Sequence, residues 1–228
     1  MLKLQILQTI SVQVIAVATA TVLMVVMLFT LLEPTLGMAI DDTFIVRQQI
    51  TDEISFLVPA ADVTMVGPIA GITGGNATGT TYVVVRTNNA AGYTMDISFS
   101  TTTAMRGETS LSTAIRDYGT STAAEPTFAF NASTSAQFAY SVTASTTADI
   151  DPSFLNNGSA CNVGGASTVD TCFKGPATST FRIINRTSDA GTGATTTIRF
   201  KVNVPSNPSP AVTEDFYTAT ATLTALNS

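Results

Sequence analysis

The sequence predicts an all-β fold: a single β-sandwich, Ig-like or jelly-roll-like, of about eight or nine strands, behind one N-terminal apolar helix. Three observations predict it. Forty of the 228 residues are Thr, whose branched Cβ suits a pleated strand, while Glu, Lys and Gln are scarce. Apolar and polar residues alternate with period two in segment after segment. Clusters of Gly, Asn, Pro and Ser separate those segments at the short intervals of sandwiches and barrels.

The helix comes first. Lys3 precedes an apolar run over residues 12–32, interrupted only by Gln13 and the hydroxyls of Thr19, Thr21 and Thr30. Glu33-Pro34 ends the run, and Gly37-Met38-Ala39 puts small residues at the −3 and −1 positions of a signal-peptidase site. A cleaved leader has an apolar core of about 7–15 residues, whereas a spanning helix needs about 20. The run reaches the second figure. Residues 1–39 therefore read as a signal peptide cleaved after Ala39 or as a retained membrane anchor. If the segment is retained, the chain meets a membrane only through residues 12–32; in both cases residues 40–228 are exported to the cell surface or beyond.

The exported part reads as strands in order. Phe44 and Val46 alternate near its start, followed by Ile54, Phe56 and Val58 and a short candidate at 63–66. Residues 80–87 hold Tyr82-Val83-Val84-Val85, a strand covered on both faces. Tyr93, Met95, Ile97 and Phe99 alternate with polar residues, and the turn-rich stretch 88–92 makes 80–87 and 92–100 a hairpin. Residues 105–118 carry Leu111, Ile115 and Tyr118 near helical spacing and read as a short helix or a long loop. Phe128 with Phe130, then Phe138, Tyr140 and Val142, then Phe181, Ile183 and Ile184 mark further strands. Residues 148–176 form an insertion stapled by a disulfide. Ile198, Phe200, Val202 and Val204 alternate up to Pro205, which lacks a ladder donor. Tyr217, Ala219, Ala221, Leu223 and Ala225 alternate with four threonines in one last strand, expected to face the core and close its sheet.

Composition excludes several functions. Only 11% of residues are charged and the net charge is −6, so no basic surface exists for nucleic acid. There is no histidine, which removes the Ser-His-Asp triad, the Cys-His pair and the zincin motif. No spacing singles out a catalytic carboxylate pair, and no catalytic residue or cofactor is expected. Cys161 and Cys172 are the only cysteines, and an even count in an exported chain reads as a disulfide. Asp149, Asp151 and Asn156 offer hard oxygen ligands for Ca²⁺ on a turn-rich loop, without the spacing of a known calcium loop. Asx-turns are the plainer reading of the same residues.

Several strings stand out together: Asp41-Asp42-Thr43-Phe44, Gly71-Ile72-Thr73-Gly74-Gly75, Asp151-Pro152-Ser153-Phe154 and Ser206-Asn207-Pro208-Ser209-Pro210 ahead of Tyr217-Thr218-Ala219-Thr220. With them the chain resembles uncharacterised exported β-rich surface proteins of candidate-phyla bacteria. A looser likeness, in architecture alone, is to fibre subunits of the camelysin or TasA type. The resemblance implies a surface location and carries no activity or site residues.

The functional expectation is a non-catalytic structural or adhesive surface protein, with a fibre subunit as one form of it. The alternative is an extracellular module binding a glycan or another ligand. Self-association has its own candidate. Residues 40–50 have strand propensity at a free end, and Phe44, Val46 and Ile50 form one alternating face. They read as the domain's own first strand, or as a strand added to a neighbour's open edge.

Overall fold

The computed structural model describes residues 2–31, 41–119, 126–132 and 134–228. The Gly37-Met38-Ala39 site and its junction with Ile40 lie outside these residues. The chain divides at residue 49 into two units, each with its own logic.

The first unit is helix α1 (Leu2–Leu31) and the segment after residue 40. Its stretch Ser11–Leu31 is 21 residues long and apolar enough to cross a membrane by length and composition. The hydroxyls inside it are satisfied locally. Thr21 donates to the Val17 carbonyl (2.6 Å), and Thr30 to that of Met27 (2.9 Å). Residues 41–50 have no helix or strand pairing, and every one of them is exposed.

The second unit is β-rich. Strands take 37% of the chain and helix 14%, most of the latter in α1. The described strands are β1 (Ile54–Val58), β2 (Gly75–Thr87), β3 (Tyr93–Phe99), β4 (Met105–Gly107), β5 (Ala114–Asp117), β6 (Gln137–Ala144), β7 (Phe181–Arg186), β8 (Ala194–Val204), β9 (Tyr217–Thr218) and β10 (Ala221–Asn227). They form a seven-stranded sheet in the order β1-β2-β8-β6-β5-β4-β9 and a three-stranded sheet β10-β3-β7. All pairings are antiparallel except β5 with β6.

One core joins the two sheets. Phe99 of β3 packs edge-on to Phe138 of β6, with ring centroids 6.1 Å apart, and lies 5.7 Å from the Tyr140 ring. Val83, Tyr93, Met95, Ile183 and Ile198 are fully buried beside them. β6 is covered on its other face too, which explains its unbroken burial from Phe138 to Val142. There Phe130 and Phe173 pack around Ala139, with the Lys201 ammonium 5.1 Å from the Phe173 ring centroid.

The structure departs from the sequence reading in three connections, and the short strands expected at 63–66 and at Phe128 with Phe130 do not form. Segments 80–87 and 92–100 are not a hairpin, because β2 and β3 lie in different sheets. Each buries alternate residues against the shared core from opposite sides, so residues 80–87 are covered on one face rather than both, with Tyr82 56% exposed. The link is tight. Gly92 adopts φ +84°, and a Cβ there would stand 2.1 Å from the Arg186 carbonyl oxygen. Residues 105–118 are neither helix nor plain loop but the β4–β5 hairpin. Leu111 is 70% exposed at its turn, so its helical spacing from Ile115 has no packing behind it. The last segment is two strands rather than one. β9 pairs with β4 in the large sheet, and β10 then joins β3 in the small one.

The insertion 148–176 is partly core. Ile150, Phe154, Cys172 and Phe173 are buried, and the Phe154 ring lies 6.0 Å from Tyr140 and 5.9 Å from Phe181. The stretch between 157 and 171, which holds the arm between the cysteines, reaches into solvent.

Candidate functional site: an open groove beside the last strand

β10 is an edge strand, and two flanking bonds fix its phase. Ser100 N–H donates to the Thr220 carbonyl (3.0 Å), and Ser228 N–H to the Gly92 carbonyl (3.2 Å). Antiparallel partners exchange hydrogen bonds at every second position. Thr222, Thr224 and Leu226 therefore turn their backbone groups toward β3. Ala221, Leu223 and Ala225 turn theirs away from it. Among the described residues, no strand pairs with that outer side.

A groove of about 1310 Å³ runs beside it. Its floor is the inner face of both sheets: Ile97 and Phe99 of β3, Ile115 of β5, Phe138 of β6, and Ile198 and Phe200 of β8. One wall is formed by residues between 60 and 72, the other by residues 212–221. The opening begins where β1 stops. Pro59 follows Val58 and has no N–H for the ladder. Beyond it the chain follows β2 by scattered bonds only. Ala61 N–H donates to Thr81 Oγ1 (3.0 Å), and Val66 N–H to the Thr78 carbonyl (3.0 Å). Val63 crosses β2 at Gly79, where a Cβ would come within 2.3 Å of its side chain.

At its other end the groove is shut. Asn227 Nδ2 donates to the Asp52 carboxylate (3.0 Å), and Asn89 Nδ2 to the Ser228 carbonyl (3.0 Å). The Thr87 hydroxyl lies 2.7 Å from the Glu53 carbonyl and 2.8 Å from Asn227 Oδ1. β1 and β10 meet there and splay apart toward the open end.

The lining is apolar below and acidic above. Asp62, Glu108, Glu214 and Asp215 border the groove, with no Lys or Arg among its lining residues. Asp215 accepts the amides of Ser110 and Thr109 (3.1 Å each) and of Phe216 (2.8 Å). The Ser110 amide contributes most to holding this carboxyl below the ordinary range of 3.8.

The residues singled out by sequence fall in three places. Cys161 and Cys172 are joined by a disulfide, with Cα atoms 5.6 Å apart. Asp149, Asp151 and Asn156 are engaged separately. Asp149 pairs with Arg186, Asp151 accepts the Ser153 amide (3.0 Å), and Asn156 accepts that of Gly158 (3.0 Å). Phe44, Val46 and Ile50 lie on the unpaired segment at 84, 83 and 84% exposure. The groove itself escaped the sequence reading, which placed Ala221 and Leu223 in a closed core. One signal was available. Three of the inward positions of the last segment are Ala219, Ala221 and Ala225, side chains too small to fill the space before them. No known protein family, curated protein or solved structure matches this chain.

Proposed function

We propose that the chain is an exported, non-catalytic structural subunit of the cell surface, and that its body is an open β-sandwich that assembles by accepting an extended polypeptide strand. One observation carries this reading: the unpaired side of β10 lies along an apolar groove of about 1310 Å³. Unsatisfied strand-edge groups beside apolar side chains are what an added strand needs. Its main chain completes the ladder, and its alternate side chains fill the floor. The groove also exceeds the roughly 300–1,000 Å³ of a small-molecule pocket.

The apolar helix α1 and the Cys161–Cys172 disulfide support export, since disulfides persist in oxidising compartments. A glycan is a poorer fit to the groove. Its floor is mostly apolar, the Thr81 hydroxyl there is engaged with the Ala61 backbone, and sugar hydroxyls buried without partners are costly. Negative-stain microscopy of the purified full chain tests the proposal. Fibres or defined multimers are expected. Strictly monomeric particles at high concentration would overturn it.

A further inference from the structure

We infer that the strand accepted by the groove is residues 43–50 of a second copy of this chain, with Phe44, Val46 and Ile50 turned inward. This rests on the reading of the groove as a strand acceptor and names its occupant.

The segment has the properties the groove lacks. It is unpaired, and Phe44, Ile45, Val46 and Ile50 are each more than 80% exposed. Period-two alternation puts Phe44, Val46, Gln48 and Ile50 on one face, three of the four apolar, and Thr43, Ile45, Arg47 and Gln49 on the other. At about 3.3 Å per residue, its eight residues run the length of a strand such as β10. The acceptor face presents small residues at Ala219 and Ala221, leaving room for large donor side chains. Charge agrees as well. The groove is bordered by carboxylates alone, and residues 43–50 carry one charge, that of Arg47.

A second copy is the source because the chain's own segment has no means to turn back. Residues leading into β1 are clamped at the shut end of the groove. Asn88 Nδ2 donates to the Thr51 carbonyl (3.0 Å), and Glu53 N–H donates to Asn88 Oδ1 (2.6 Å). Asp52 is held by Asn227. To lie along its own β10, the segment would have to reverse direction just before this clamp. Residues 43–51 contain no Gly, Pro, Asn or Asp to make that reversal. Donor and acceptor are different surfaces of each chain, so the contact is head-to-tail and builds a filament, or a ring if the rotation closes.

The test uses the full chain in mild detergent. Phe44→Cys, Val46→Cys and Ile50→Cys are each combined with Leu223→Cys and oxidised. At least one pair should give a ladder of chains cross-linked to one another. Val46→Asp should weaken assembly at least tenfold while the unfolding transition of the body stays in place. Ile45→Asp, on the outward face, should assemble as before. Ala221→Pro removes an outward N–H and should weaken assembly without breaking a bond to β3. A cross-link formed within a single chain would overturn the inference. Multimers that form without any cross-link and ignore Val46→Asp would overturn it too, while leaving the assembling function in place. A chain that never leaves the monomer would remove the assembling function itself.

Discussion

Phe138 and Phe200 differ in a way that alternation does not reveal. Both sit on the apolar face of a strand, and their rings stack at 6.0 Å, but Phe138 is 2% exposed while Phe200 is partly open to the groove. Phe138→Ala should cost about 3–5 kcal/mol, as large core truncations do. Phe200→Ala should cost the unassembled body at least about 1 kcal/mol less, because part of that ring is never removed from water. Denaturant unfolding of the two variants measures the gap. The phase of the last segment was legible in the sequence except at one position: Thr218, Thr220 and Thr222 are exposed and Tyr217, Ala219 and Leu223 half-buried, as alternation demands, but Ala221, expected inward with them, is exposed. Depth was not legible, since it depends on what lies beside a strand, and among the described residues no strand pairs with the outer side of β10. A second residue-scale effect is electrostatic. The folded state holds the Asp215 carboxyl below its ordinary 3.8, so its contribution is present above that pH and fades as pH falls through the lowered value. Amide exchange of Thr109 and Ser110, normalised for intrinsic rates, should accelerate in that acid window and be insensitive to pH from 5 to 7.

Among the elements, the extended segment and the disulfide arm invite separate tests. Residues 41–50 belong to no strand pairing among the described residues, so deleting them should change the stability of the body by less than about 1 kcal/mol, the scale of a substitution away from core features. A larger loss, read from thermal or denaturant unfolding, would mean that they are an internal strand. The arm is expected to respond locally to reduction. Closing the loop between Cys161 and Cys172 contributes roughly 3 kcal/mol on the chain-entropy model. After reduction, amides between 157 and 171 should exchange faster, whereas Phe154 and Phe173 stay protected by Tyr140 and Phe130. The sequence placed nearly all the long strands, because each carries its own alternation. It missed the β2–β3 crossing and the split of the last segment. Those are decided by which sheet a strand joins, and local pattern is the same in either sheet. The short β4 and β5 were hidden for another reason: three or four residues are too few to show a period.

At the scale of the whole molecule, α1 and the β-rich body answer to different solvents. Export would leave residues 41–50 as the first stretch beyond the apolar helix. N-terminal sequencing of the mature protein should give a chain beginning at Ile40, recovered in the soluble or fibre fraction. Recovery of Met1 in carbonate-washed membranes would identify α1 as a lasting anchor. Most pairings of the body join distant parts of the chain. Gly75 pairs with Val204, and Tyr93 with Asn227, so over 120 residues separate partners in each case. Such topologies fold slowly, because loop closure precedes any return from contact. β10 follows all nine other described strands in the chain. The wall it provides is therefore the last to exist during vectorial delivery across a membrane. A chain still emerging has β3 but no β10, hence no ledge on which a neighbour's strand can register. On the assembly proposed above, the order of the strands in the chain would withhold the docking edge until the rest of the body has been delivered.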